Sequence, residues 1–95
     1  MLDLQAVPTP SEDLRVREVG DETVFLTASG REVVSLNAVG TFIWQQIDGH
    51  HTLRDILDII CHEYEVEPDR AEADLARFVD ELEQNNLLTL QSPEA

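Results

Sequence analysis

Basic residues are scarce in this sequence. It has six Lys and Arg residues against 20 Asp and Glu, so its formal net charge is −14 and its isoelectric point is near 4.2. Nucleic acids bind non-specifically through Lys and Arg, and anionic membrane surfaces attract the same residues. The charge therefore argues against nucleic acid and membranes as partners, and it favours a cationic or mixed-charge partner.

Cysteine and long hydrophobic runs are also nearly missing. Cys61 is the single cysteine, which excludes an internal disulfide. No apolar stretch approaches the roughly 20 residues that are needed to cross a bilayer. Residues 1–10 have neither the basic start nor the apolar run of a signal peptide. These features predict a cytoplasmic protein.

Catalytic motifs are missing as well. The sequence contains no nucleophile elbow, phosphate-binding loop or dinucleotide fingerprint. The residues best suited to chemistry are His50-His51 and Cys61-His62-Glu63, and neither group has the two spaced ligand pairs of a typical zinc site. We therefore predict that the chain is not an enzyme and that it uses no metal and no cofactor.

The length of 95 residues fits one domain between two short tails. Pro8, Pro10 and Ser11 interrupt residues 1–14, which predicts a flexible N-terminal arm. Residues 91–95 form a predicted C-terminal tail. The folded domain would then cover residues 15–90, and a composition with 42% hydrophobic residues is ordinary for a globular protein.

The first part of this domain predicts three short strands. Arg15–Val19 is a weak first strand, and Thr23–Thr27 is rich in the β-branched and aromatic residues that favour strands. Ala28-Ser29-Gly30 can form a turn, because glycine tolerates a positive φ angle. Glu32–Leu36 then completes an antiparallel hairpin or meander.

From residue 37 onward, apolar residues recur with the period of a helix. Asn37 is a suitable N-cap for a first helix over residues 38–47, and Thr52 opens a second helix. A third helix is predicted to begin at Glu67-Pro68-Asp69 and to end at Asn85-Asn86. The predicted buried stripes are Val39, Ile43 and Ile47; Leu53, Ile56, Leu57, Ile60 and Tyr64; and Ala71, Leu75, Phe78 and Leu82.

Strands followed by helices predict an α+β domain. We expect a winged-helix-like arrangement, in which a three-stranded antiparallel sheet is followed by three helices. Leu87–Leu90 fits either a short final strand or an apolar cap over the core. Many winged-helix proteins bind DNA, but the third helix here carries more acidic than basic residues. Phosphate repulsion therefore disfavours direct DNA binding.

The helical half contains an ordered set of short motifs. They are a Leu-Asn pair within Ser35–Gly40, the pair Ile43-Trp44, and an Asp-Gly before the Thr-initiated helix within Ile47–Leu53. The later members of the set are Tyr64-Glu65-Val66, Asp74, Phe78-Val79, Leu82 and Leu87-Leu88. At these spacings the set resembles the family of pyrroloquinoline quinone synthesis protein D (PqqD) over Val16 to Leu90. Asn85-Asn86 departs from the family, which often has glycine there, but Asn also tolerates the left-handed conformation.

The resemblance implies a non-catalytic domain that recognises the leader segment of a ribosomally synthesised precursor peptide. It does not imply pyrroloquinoline quinone synthesis, since family members act in different pathways. The implied partners are the precursor peptide and a modifying enzyme, such as a radical SAM enzyme or a lasso-peptide leader peptidase. In such domains the leader adds an antiparallel strand to the third strand, and its side chains fill the cleft against the third helix.

Two sets of residues form the predicted peptide-binding site. The first set would offer unpaired backbone groups at a sheet edge, and its members are Glu32, Val33, Val34, Ser35 and Leu36. The second set would face the cleft from the third helix, as its helical phase and the resemblance indicate. Its members are Asp74, Arg77, Phe78 and Glu81, of which the three charged residues would recognise charges of the leader.

The same residues permit other interpretations. The third strand could be covered by the N-terminal arm or lie inside the sheet, and Phe78 could be a plain core residue. The charged residues of the third helix could form surface pairs worth about 0.2–0.5 kcal/mol each. An exposed edge strand can also pair with its own copy. The alternative function is therefore a protein–protein scaffold or homodimerisation module, and we expect a monomer or a weak homodimer.

Overall fold

The computed structural model describes residues 3–12, 14–26 and 29–91 of the chain. Its elements follow in the order β1 (Val7–Pro10), β2 (Arg15–Val19), β3 (Glu22–Leu26), β4 (Glu32–Leu36), α1 (Ala38–Gln45), α2 (Leu53–Tyr64), α3 (Pro68–Gln84) and β5 (Leu88–Gln91). The predicted α+β class is confirmed, because an antiparallel sheet in the order β2-β3-β4 precedes three helices. Thr27 and Ala28, predicted in the second strand and its turn, lie outside the described residues, as do residues 92–95 of the predicted tail.

The three-stranded sheet packs one face against the helices. Phe25 of β3 pairs with Val34 of β4, and both side chains are buried. Phe25 also contacts Trp44 of α1 edge-to-face, with the ring centroids 4.8 Å apart. Phe25 pairs with Val34 and Leu26 pairs with Glu32, so Val33 is an extra residue of β4 that shifts the register by one. The Val33 side chain is exposed. The sheet thus joins the core through Phe25 of β3 and through the alternate residues Val34 and Leu36 of β4.

The segment before β2 differs from the predicted flexible arm. β1 pairs antiparallel with β5 in a separate two-stranded sheet, so Gln91 belongs to a strand and not to a tail. The carbonyl oxygens of Leu4 and Ala6 accept the amide N–H groups of Arg54 and Leu53, each at 2.9 Å. These are first-turn donors of α2, which have no partner inside the helix. The N-terminal segment therefore caps α2 as well as covering β5, and the resulting likeness to a winged helix is loose.

The prolines of β1 explain why the strand is hard to predict. In an antiparallel pair, residues alternate between positions whose N–H faces the partner and positions whose N–H faces away. The Ser11 N–H donates to the Leu87 carbonyl oxygen at 3.0 Å, so Ser11 is a position whose N–H faces the partner strand. Thr9, two residues earlier, is the preceding position of the same kind. Pro8 and Pro10 occupy the positions between, where a missing N–H removes no ladder bond.

The helix boundaries agree with the predictions at most ends. Asn37 caps α1, Thr52 opens α2 with a complete capping box, and Asn85 caps the end of α3. The first helix ends earlier than predicted, because the Ile47 N–H donates to the Trp44 carbonyl oxygen, one residue nearer than in an α-helix. None of the helices in the described ranges is long and apolar enough to span a membrane.

The predicted apolar stripes need three corrections. Val39 of α1 is 46% exposed and Tyr64 of α2 is 41% exposed, although both were assigned to buried stripes. On α3 the core position next to Leu82 belongs to Val79, which is buried, while Phe78 is only partly buried. Val39, Tyr64 and Phe78 are uncovered because no described element packs over the surface that they share, and this surface is the candidate site.

Candidate functional site

β4 forms an open edge of the three-stranded sheet. Among the described strands, β3 is its one neighbour. Val34 and Leu36 point into the core, whereas Glu32, Val33 and Ser35 are exposed. An added strand could therefore pair with the outer backbone groups of β4 without displacing a core side chain.

The end of β4 opens into a groove between α1 and α3. The first part of this groove is a cavity of about 300 Å³, lined by Ser35, Leu36, Asn37, Val39, Gly40, Ile43, Asp74, Phe78 and Glu81. A second cavity, of about 230 Å³, shares Val39, Ile43 and Asp74 with the first and extends to Tyr64 and Val66. Because the two cavities share these walls, we treat them as one continuous groove.

Gly40 determines how closely α1 approaches α3 in the first cavity. A Cβ atom at this position would lie 3.2 Å from Leu36 Cβ and 3.3 Å from Phe78 Cε1. Both separations are tighter than ordinary van der Waals contact, so a larger residue would displace Phe78. Glycine inside a helix costs about 1 kcal/mol relative to alanine. The close packing of α1 against Phe78 explains why glycine occupies position 40 despite this cost.

The second cavity is the more apolar part of the groove. Its carboxylate comes from Asp74, and its other walls are the apolar residues Val39, Ile43, Ile60, Tyr64, Val66, Ala71 and Leu75. The Tyr64 ring is held in place by edge-to-face contact with Phe42 at a centroid distance of 5.4 Å. Exposed apolar surface of this kind is typical of a binding site. A bound apolar side chain would cover both Val39 and Tyr64.

The structure brings most of the predicted site residues together. Ser35 and Leu36 of β4 line the first cavity with Asp74, Phe78 and Glu81 of α3. The remaining predicted strand residues, Glu32, Val33 and Val34, lie further along β4 and do not line the groove. They would contact a bound peptide only through the strand edge.

Arg77 lies on the other flank of α3. It lines a separate cavity of about 470 Å³, together with Asp3, Asp80 and Leu90 among others. Its guanidinium group donates to the Asp74 carboxylate, and its side chain is 81% exposed. Asp74, Phe78 and Glu81 follow the spacing i, i+4, i+7 of one helix face, and position 77 falls at the edge of that face, about 100° from Phe78 and about 40° from Glu81. Arg77 thus does not line the groove and meets it through the ion pair with Asp74; its contact with a leader peptide stays a prediction.

Several lining residues are not among the predicted ones. Val39 and Tyr64 have the spacing of core residues, so periodicity alone assigns them to the interior. Gly40 did carry a usable signal, since glycine inside a helical pattern indicates a packing or functional reason. Asn37 lines the groove in addition to capping α1, where its side chain accepts the Gly40 N–H at 2.9 Å.

The histidine-rich turn and the cysteine serve structure in the described part of the chain. The Asp48 carboxylate accepts the backbone N–H groups of His50 at 2.9 Å and His51 at 3.1 Å. These two bonds, His50 first, hold the pKa of Asp48 below its usual range. Cys61 is half-buried and packs against the core. Within residues 3–12, 14–26 and 29–91, no group of three or more His, Cys, Asp or Glu side chains could hold a metal ion.

Comparison with known proteins relates this groove to a family. The family model described as Coenzyme PQQ synthesis protein D (PqqD) matches residues 22–88, which include every residue of the groove. The fold is similar to a solved structure described as TbiB1 in Complex with the TbiA(beta) Leader Peptide. The identity is 32% and the TM-score is 0.74, over 84% of this chain and 93% of that chain. No curated protein matches. Since the family model covers well over half of the sequence, the chain belongs to the PqqD family.

Proposed function

We propose that this chain binds the leader segment of a ribosomally synthesised precursor peptide and presents it to a modifying enzyme. The observation that carries the proposal is the open edge of β4, which leads directly into the groove between α1 and α3. One extended peptide can use both features, because its backbone pairs with the edge while its side chains enter the groove. The similarity to TbiB1, whose solved structure contains a leader peptide, supports the proposal.

The two features have separate roles in recognition. Backbone pairing along β4 depends little on the sequence of the leader, so it supplies affinity. Specificity comes from alternate leader side chains, since successive strand residues point to opposite faces. The leader loses conformational freedom on binding, so a few apolar side chains must fill the groove to offset that cost. We expect micromolar or tighter affinity, about −8 kcal/mol or better.

An antiparallel leader strand would have a defined direction on the domain. β4 runs from Glu32 to Leu36 and continues into α1. The N-terminal part of the leader would therefore lie near Leu36 and the groove, and its C-terminal part would leave near Glu32. The modifying enzyme, a radical SAM enzyme or a leader peptidase, would act on the peptide beyond that end. The chain itself would supply a high local concentration of substrate and no catalytic group.

A homodimer through β4 is the second candidate. A two-fold axis at Val34 would place Val34 opposite its own copy, Val33 opposite Ser35, and Glu32 opposite Leu36. No like charges face each other in this pairing, so β4 tolerates a second copy electrostatically. The dimer would occupy the same edge as the leader, and leader binding would dissociate it.

Backbone methylation of the leader tests strand addition without changing the protein. Two versions of the leader peptide encoded beside this chain would carry N-methyl groups, one at odd and the other at even positions of the segment that pairs with β4. Only one set of leader N–H groups can face β4. By calorimetry, we expect one version to lose at least about tenfold in affinity, or about 1.4 kcal/mol, and the other to bind like the unmodified leader.

The possible outcomes separate the two candidate functions. Equal loss with both methylated versions would mean that side chains alone hold the peptide and that β4 is not the binding edge. No binding of the unmodified leader would refute the leader-carrier function. In that case light scattering over a concentration series would decide whether β4 pairs with a second copy.

A further inference from the structure

β2 is the second open edge of the three-stranded sheet. In the described part of the chain it pairs only with β3, and all five of its side chains are exposed. Val16 is 43% exposed and Val19 is 55% exposed. Uncovered edge strands with apolar side chains attract other extended chains.

β2 differs in charge from the helical half of the chain, because it carries two arginines and one acidic residue, Glu18. Arg15 and Arg17 are two of the six basic residues of the chain, and both are exposed. They lie two residues apart, so their side chains share one face of the sheet. Residues 37–91, in contrast, contain 12 acidic residues and three arginines. An acidic partner would therefore be repelled by the helical half and attracted to β2.

A second copy of this chain does not fit this edge. In an antiparallel dimer the two-fold axis is perpendicular to the sheet, so residues that face each other must share a face and differ by an even number. The three central registers then place Arg15 opposite Arg17, Arg17 opposite Arg17, or Glu18 opposite Glu18. Like charges directly opposite each other are destabilising. The edge is thus protected against self-pairing, while a strand of complementary charge remains compatible.

We propose that β2 is a docking edge for an extended segment of a partner protein that alternates acidic and apolar residues. Acidic side chains of that segment would face Arg15 and Arg17 on one side of the sheet, and an apolar side chain would face Val16 on the other. β3 separates β2 from β4, so a peptide on β4 and a partner segment on β2 can be bound at the same time. This docking edge does not depend on the identity of the peptide at β4.

A short designed peptide serves as the probe. Ac-Ser-Glu-Val-Glu-Val-Glu-Ser-NH2 would be titrated into the ¹⁵N-labelled full chain, and the control is the same peptide with Gln for each Glu. We expect saturable chemical-shift changes at the amides of residues 15–19, and about fivefold weaker binding of the Gln peptide. The double variant Arg15→Gln/Arg17→Gln should weaken binding of the acidic peptide to a similar extent.

The matched control variant is Arg54→Gln/Arg70→Gln, which removes the same charge from exposed positions of α2 and α3. It should leave the affinity for the acidic peptide unchanged. Equal weakening by both double variants, equal binding of the two peptides, or shifts that are absent from β2 would overturn the proposal. A leader titration on the same sample reports at β4, so failure of leader binding and failure of the β2 edge are distinguishable.

Discussion

At the scale of single residues, the two flanks of α3 have different surroundings. Phe78 and Glu81 line the groove, whereas Arg77 lines the cavity on the opposite flank and pairs with Asp74. The Asp74–Arg77 pair is exposed and contributes at most about 0.5 kcal/mol to folding. Its effect on the groove is electrostatic, because the guanidinium group offsets part of the Asp74 charge there.

Alanine substitutions on the two flanks test this arrangement. Phe78→Ala should weaken leader binding about tenfold or more, because an aromatic wall of the groove is lost. Arg77→Ala should change the affinity by about twofold or less, since its side chain lies outside the groove. Calorimetry gives both affinities, and thermal unfolding checks that each variant is folded. If Arg77→Ala weakened binding as much as Phe78→Ala, Arg77 would have to contact the leader directly.

These residues also show how far helical phase can locate a site. The phase of α3 correctly groups Asp74, Phe78 and Glu81 at the groove, but it does not separate Arg77 from them. Around the helix axis, position 77 lies about 40° from Glu81 and about 60° from Asp74. A rotation of that size decides whether a residue lines the groove or the next flank, and only the packing partners of α3 decide between the two.

At the scale of elements, β1 depends on a contact with β5 that is remote in sequence. Thr9 pairs with Thr89, and its N–H faces β5, whereas Pro8 and Pro10 occupy the positions that face away from β5. Thr9→Pro removes this N–H, which should destabilise the fold by about 1–2 kcal/mol. The expected fall in the melting temperature is about 4–16 °C for a domain of this size. Circular dichroism during heating measures it.

Pro10→Ala is the matched control in the same strand. It adds an N–H at a position that faces away from β5 and loses only the entropic advantage of proline, about 0.4–1 kcal/mol, so the melting temperature should fall less than in Thr9→Pro. A similar fall in both variants would show that the two positions are equivalent. The hydrogen-bond alternation assigned to β1 would then be incorrect.

The elements that could be predicted are those with local signals. Asn37, Thr52 and Asn85 mark helix ends through their own side chains or backbone conformation, and β2 to β4 follow one another with short turns. The β1–β5 sheet has no such signal. Its partners are about 80 residues apart, and its prolines have the composition of a loop. Only the three-dimensional register shows that their missing N–H groups are harmless.

At the scale of the whole molecule, charge is distributed unevenly between the three-stranded sheet and the three helices. The two open edges of the sheet have different charge patterns. The β4 edge has no charged residue between Val33 and Leu36, while β2 carries Arg15 and Arg17 on one face of the sheet and Glu18 on the other. A peptide of almost any charge can pair with the first edge, and only a complementary strand suits the second. The acidic helices then limit which proteins can approach either edge.

The same charge also acts on the fold itself. With a net charge of −14 the folded chain repels itself, and the repulsion is weaker in the expanded unfolded state. Raising NaCl from 0.01 to 0.15 M shortens the Debye length from about 30 to about 8 Å, so the repulsion is screened. We expect the free energy of unfolding to rise by about 1 kcal/mol, which raises the melting temperature of a domain of this size by about 4–8 °C.

Two controls separate screening from other effects of salt. Sucrose at the same osmolarity should raise the melting temperature by much less than NaCl does, because it does not screen charge. Arg15→Gln/Arg17→Gln changes the net charge from −14 to −16, and should therefore show a larger rise with NaCl. A melting temperature that falls with NaCl would mean that favourable ion pairs outweigh the repulsion. The pairs His51–Asp48 and Arg77–Asp74 would add little to such a result, since both are exposed and the first requires a protonated histidine.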